Sequence, residues 1–97
     1  MAEETRDNLP ETVVFVGIKP PMAYVLGVVT QLSNGQKEIF IKARGRSISK
    51  AVDVAEIVRR KFVQDIKVSS IDIGTEERQL ENGQKINVSS INITITK

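Results

Sequence analysis

Cysteine, histidine and tryptophan are absent from the 97 residues, and the aromatic side chains number one tyrosine and three phenylalanines. Without Cys or His the chain cannot build a zinc finger, a Cys–His nucleophile pair, a Ser-His-Asp triad or a disulfide framework. The six glycines form neither a Gly-x-Gly-x-x-Gly fingerprint nor a phosphate-binding Gly-Lys-Ser/Thr loop, so nucleotide hydrolysis has no support. No paired-acid site is visible either: Asp53 and Glu56 sit among basic residues of one helix and read as surface ion pairs. These absences predict a protein that is not an enzyme and holds no metal or cofactor. Long apolar runs are missing as well. The longest uncharged stretch, Pro20 to Gln36, is broken by prolines, Gly27 and Asn34-Gly35, so no membrane span is expected. The first residues lack a basic stretch followed by an apolar one, which predicts a protein that stays inside its cell, in the cytoplasm.

What is present is a globular balance, 40% hydrophobic and 27% charged residues, enough for one domain with a core small enough to gain from a subunit interface. The net charge of +2 is unevenly spread. Residues 1–11 carry Glu3, Glu4, Asp7 and Glu11 against Arg6 and read as a disordered acidic tail, leaving a single basic domain over 12–97. Its excess sits between Lys37 and Lys61, where Lys37, Lys42, Arg44, Arg46, Lys50, Arg59, Arg60 and Lys61 face only Glu38, Asp53 and Glu56. Such a segment suggests a polyanion partner, with a merely solvated charged face as the alternative.

The unbroken run Val13–Ile18 predicts a strand buried on both faces, stopped by Lys19-Pro20-Pro21. A helix from Pro21 to Leu32 follows, closed by Asn34-Gly35. It is apolar almost all round (Met22, Ala23, Tyr24, Val25, Leu26, Val28, Val29, Leu32), which predicts that a second subunit covers its outer side. A second, central strand spans Ile39–Ala43. After the Arg44-Gly45-Arg46 turn, Ser47 or Ser49 is placed to cap an amphipathic helix reaching Phe62. Strand, helix, strand, helix implies that the first two strands are parallel.

Two further strands contain Ile66, Val68, Ile71 and Ile73, then Ile86, Val88, Ile91, Ile93 and Ile95. Each slips in its alternation at a Ser-Ser pair, Ser69-Ser70 and Ser89-Ser90, which predicts a bulge or a change of exposed face. Pairing Ile71 and Ile73 on one face with Ile91 and Ile93 requires a three-residue loop, Glu81 to Gly83, with Gly83 left-handed. The polar arm from Gly74 to that turn would project about 20–25 Å. It is either a binding device or a solvated loop.

Anion binding is the best-supported chemistry. Arg44 and Arg46 flank Gly45 at a strand-to-helix junction, and Lys19 falls at the same end of the sheet if the strands are parallel, so three cations and two helix starts converge. Tyr24 and the phenylalanines lie in expected core elements, which argues against base stacking.

The runs Gly17-Ile18-Lys19-Pro20-Pro21-Met22-Ala23-Tyr24-Val25-Leu26 and Glu38 through Asp53, above all Lys42-Ala43-Arg44-Gly45-Arg46-Ser47-Ile48-Ser49-Lys50-Ala51-Val52-Asp53, resemble Alba, the family of small basic archaeal chromatin proteins. The resemblance implies an α+β, two-layer β1α1β2α2β3β4 sandwich similar to the C-terminal domain of translation initiation factor three, with a protruding hairpin of the last two strands. It implies a homodimer that coats and compacts double-stranded DNA without sequence preference, associates with the chromosome and also binds RNA. On these matches the nucleic-acid contacts are Lys19, Lys42, Arg44, Gly45, Arg46 and Lys50, with Arg78 and Lys85 on the arm. Tyr24, Leu26, Arg59 and Phe62 fall to contacts within or between dimers. Two departures stand out. The lysine whose acetylation tunes affinity in the family is Ile18 here, and the arm has Arg78 and Lys85 against Glu76, Glu77 and Glu81 where a groove-seeking arm would be cationic. An RNA-directed protein that remodels RNA structure, and an interaction module with incidental charge, are the alternative readings.

Overall fold

The computed structural model describes residues 12–97, so the expected acidic tail lies outside the described residues. Four strands and two helices follow in the order β1 (Val13–Val16), α1 (Pro21–Ser33), β2 (Glu38–Arg44), α2 (Ile48–Ile57), β3 (Lys67–Gln79) and β4 (Lys85–Thr96). One sheet with strand order β1-β2-β4-β3 holds all four strands. β1 and β2 are parallel, and the other neighbours are antiparallel.

Both ends of α1 follow from its sequence. Pro20 is the N-cap and Pro21 the first helical residue, where a missing amide hydrogen costs nothing. At the far end Gly35 takes φ +100°, the amide of Gln36 donates to the Gln31 carbonyl, and that of Gly35 to the Leu32 carbonyl. This 6→1 and 5→2 pair is a Schellman closure. α2 starts differently from expectation. A 3-10 turn, Gly45–Ser47, precedes it, and no serine caps it: the Ser47 hydroxyl donates instead to the Gly17 carbonyl at 3.4 Å. Gly45 has φ +55°, the left-handed backbone that favours glycine. A π-helical turn, Val58–Phe62, ends the second helix and packs against α1.

The helices cover one face of the sheet. Val16 of β1, Ile39, Ile41 and Ala43 of β2, and Ile93 and Ile95 of β4 meet Val25, Val28 and Leu32 of α1 and Ala51, Val54, Ala55 and Val58 from the second helix and its π turn in a single core. β2 is central, as expected. β1 is not buried on both faces: Phe15 points away from the helices and is 43% exposed, because a two-layer fold leaves the second face of its sheet open. Among the described residues the outer side of α1 is likewise uncovered, with Met22 and Leu26 exposed.

β3 and β4 pair as their isoleucines require, Ile71 with Ile93 and Ile73 with Ile91, and the ladder runs to Gln79 opposite Lys85. The tip is the anticipated loop. The Leu80 amide donates to the Gln84 carbonyl, and Gly83 has φ +88°. A register shift falls between Val68 and Ser70, where the Ser69 hydroxyl donates to the Thr94 carbonyl. At Ser89-Ser90 the ladder continues unbroken, and the second predicted irregularity is a change of face. Ile91, Ile93 and Ile95 lie on the helix side, whereas Val88 and Ile86 fall on the opposite one. β2 ends at Ser90, so everything beyond is a two-stranded arm.

Candidate functional site

Parallel pairing of Val16 with Ala43 puts the loop after β1 beside the turn after β2. The link between them is a four-bond clamp. The amides of Gly17 and Lys19 both donate to the Tyr24 hydroxyl, at 2.9 and 3.1 Å, and the Lys50 ammonium donates to the carbonyls of Gly17 and Lys19, at 2.7 and 2.8 Å. Backbone groups of a short loop are thus tied from two helices, and the side chains of Lys19 and of Ile18, which is 97% exposed, stand outward from a fixed base. Lys50 therefore serves as a tie between α2 and the loop after β1. Tyr24, expected at a subunit contact, turns its hydroxyl to this loop.

Neither helix start has a side-chain cap, and both lie at the same end of the sheet as Lys19 and Arg46, although Pro21 has no amide hydrogen, the Ala23 amide donates to the Pro20 carbonyl and the Ile48 amide to the Gly45 carbonyl. Helix N-termini with unsatisfied amides favour anions. Among the described residues, Lys19, Lys42 and Arg46 make no ion pair. Arg44 does. Its Nε lies 3.1 Å from a Glu76 carboxylate oxygen and its guanidinium carbon 5.7 Å from the centre of the Phe15 ring. Arg44 is thus half engaged by the base of the arm, and Glu76, counted along the chain only as one acid of the arm, is its partner.

The structure sets Lys19, Arg46 and Lys50 at the loop end of the sheet, with Arg44 at the end of β2 and Gly45 in the turn after it, while Lys42 lies further back on the open face of the sheet. It does not bring Arg78 and Lys85 to them. Arg78 pairs with Ile86, and Lys85 lies five residues beyond Ser90, about 17 Å along the strand, with its ammonium 4.0 Å from Glu77. Of the remaining expected contacts, Leu26 and Phe62 are exposed apolar side chains, and Arg59 is bound to Glu56. Hydrogen bonds from Arg59 and then Arg60 hold the Glu56 carboxyl below its ordinary value, and the same contact raises Arg59.

Sequence reasoning missed the open face of the sheet. Phe15, Lys42, Asn92 and Asp72 form one row across all four strands. The signal was faint: alternation in β2 between buried Ile39, Ile41 and Ala43 and the half-exposed Phe40 and Lys42 is the pattern of a sheet covered on one side.

No group of His, Cys, Asp or Glu among the described residues is arranged to hold a metal ion. Nor is any described helix long and apolar enough to cross a membrane.

Residues 12–75 match the sequence model of the Alba family. The DNA/RNA-binding protein Alba of Methanocella arvoryzae is 56% identical over 92% of this chain and 94% of its own. That of Thermoplasma acidophilum is 56% identical over 90% of this chain and 97% of its own. Among solved structures, Alba from Thermoplasma volcanium superposes with a TM-score of 0.83 at 56% identity, covering 88% of this chain and 99% of the other. These relatives are named as binding proteins and not as enzymes, and the order of strands and helices is theirs. The chain belongs to the Alba family.

Proposed function

We propose that this protein binds duplex DNA without sequence preference, coating and compacting it as a dimer on the chromosome in the cytoplasm, and that it also takes RNA. The observation that carries this reading is the clamp. Lys50 and Tyr24 fasten the loop that carries Lys19 to α2 and α1, beside the Arg44-Gly45-Arg46 turn, and cations held in this way suit a row of phosphates. The names of the relatives support it.

Dimerisation is supported by apolar surface on the helix side of β3, where no helix reaches. Ile73 is 83% exposed, and Val68, Ile71 and Val52 are exposed around it. Ile48, Ile73 and Ile91 line a groove of about 400 Å³ beside them. A second copy would cover this face, and Met22, Leu26 and Phe62 would remain for contacts between dimers. Ile73→Glu should give monomers in sedimentation velocity, whereas Leu26→Glu should leave dimers.

The test of binding is fluorescence anisotropy of labelled duplexes over a range of salt. Three to four phosphate contacts per subunit, doubled by symmetry, predict that log K falls against log salt with a slope of roughly −5 to −7, alike for unrelated DNA sequences. Absence of binding at low salt would leave an interaction module whose charge is incidental, and a clear preference for duplex RNA would leave the RNA-directed reading.

A further inference from the structure

We propose that the open face of the sheet holds a pocket for one unstacked nucleobase of a single-stranded nucleic acid, with guanine the base its chemistry favours. The inference rests on the nucleic-acid-binding reading and goes beyond phosphate contact. Gly74 and Ser90 lie side by side across β3 and β4, and these small residues form the floor of a cavity of about 220 Å³. Phe15 and Arg44 wall it on one side, Asp72 and Glu76 on the other, with Lys42 and Asn92 between. That volume is below the range of pockets for drug-sized ligands and suits one planar ring system.

Its chemistry selects the occupant. Phe15 is nearly half exposed and already carries a guanidinium against its ring, so a flat π-system is the natural neighbour. Inorganic phosphate is disfavoured, since two carboxylates line the same cavity. Asp72 calls for N–H donors, and Lys42 for an acceptor. The Asn92 side-chain oxygen is buried without a hydrogen-bond partner, so its amide is not committed to the sheet and can turn to a ligand. Guanine offers amino and ring N–H donors beside acceptors at O6 and N7, which matches a carboxylate and an ammonium facing each other across the pocket. A base inside a duplex keeps both ring faces stacked on its neighbours and cannot enter. The pocket is therefore reserved for single strands, while Lys19 and Arg46, on the adjoining loops, serve phosphates of either kind.

The experiment compares a short oligouridine carrying one central guanine with the same oligomer carrying uridine, adenine or cytosine there, and with duplex DNA of equal length. Anisotropy at fixed salt should give a preference of about fivefold or more for the guanine oligomer over all-uridine, the effect of about 1 kcal/mol for one stacked base. Asp72→Asn, a near-isosteric change at an exposed position, should abolish the preference for guanine over adenine. Phe15→Leu should lower affinity for every oligomer that bears a purine, and both variants should leave duplex binding within about twofold. A thymidine oligomer with one deoxyguanosine separates the sources: an equal gain assigns the pocket to the base alone, and a gain only in the ribose series assigns it to RNA. Equal affinity for all single strands, or variants that weaken duplex and single strand in parallel, would overturn the pocket. Failure of the unaltered protein to bind duplex would instead overturn the phosphate reading.

Discussion

Cations are displayed in two ways in this molecule. At the loop end, Lys19 stands on backbone fixed by Tyr24, Ser47 and Lys50, side chains that arrive from up to 33 residues away, and Arg46 sits in the short turn that carries Ser47. On the arm, Arg78 and Lys85 ride on a two-stranded ribbon whose side chains are almost all exposed, with three carboxylates close by in sequence. On the proposed reading, the difference teaches that charge serves as a site only where the fold fixes its position. Beyond the last pair of β2, Arg44 with Ser90, the same β3–β4 ladder that is part of a packed sheet continues as a two-stranded ribbon held by backbone pairing.

The sharpest way to break this comparison is to exchange the two sets of cations for alanine. Lys19→Ala with Arg46→Ala removes four phosphate contacts from a dimer, so the salt slope should flatten by roughly 3 to 4 and affinity at moderate salt should fall about a hundredfold or more. Arg78→Ala with Lys85→Ala removes the same formal charge. It should cost less than half of that slope if position matters, and as much if only net charge does.

A smaller effect tests whether the clamp makes the loop a site. Tyr24→Phe deletes one oxygen and no charge, yet leaves the Gly17 and Lys19 amides without their acceptor, at a cost of about 1–3 kcal/mol in thermal or urea unfolding. Affinity for DNA should fall several-fold, and the loss should vanish in a Lys19→Ala background, because a wandering loop matters only while it carries the lysine. Additive losses would show that the tyrosine supports stability alone.

Much of this architecture was legible before the fold was seen, for physical reasons that also mark where legibility stopped. The loop Glu81 to Gly83 followed from parity, since a one-residue slip would have turned Ile71 and Ile73 away from Ile91 and Ile93. Pro20-Pro21 and Asn34-Gly35 announced both ends of α1 by local stereochemistry. Sidedness was not local. Val13–Ile18 reads as uniformly apolar, and only the absence of a second helical layer leaves Phe15 in water. Lys50 read as one more cation in a basic run, and nothing nearby in sequence shows that its ammonium ends on two carbonyls over thirty residues earlier. Arg44 and Glu76 are 32 residues apart and meet because β4 pairs with both of their strands.

That meeting gives a third, finer test, because Arg44 lies between the two modes of display. Its ion pair is exposed, with both side chains more than 40% accessible, so it contributes on the order of 0.2–1 kcal/mol. A phosphate must displace Glu76 to reach Arg44. Glu76→Gln should tighten duplex binding by about two- to fivefold and steepen the salt slope by about one contact per subunit. An unchanged slope would mean that Arg44 stays with the Phe15 ring when DNA is bound.

The smallest effect concerns cations that are spent within the chain. Glu56 accepts from Arg59 at 2.8 Å and from Arg60 at 2.8 Å, which together draw its carboxyl below the usual value of 4.5. A carboxyl whose folded value is depressed binds its proton more readily in the unfolded chain. Its contribution to stability is therefore complete above about pH 4.5 and is lost as the pH falls through the lower, folded value. Glu56→Gln should lower the melting temperature slightly at neutral pH and not at all at the acid end of that window. Since Arg59 and Arg60 are released by the same substitution, duplex affinity at neutral pH becomes a second readout. If it is unchanged although two guanidinium groups have been set loose on the far end of α2, then position and not charge decides where this protein meets its polyanion.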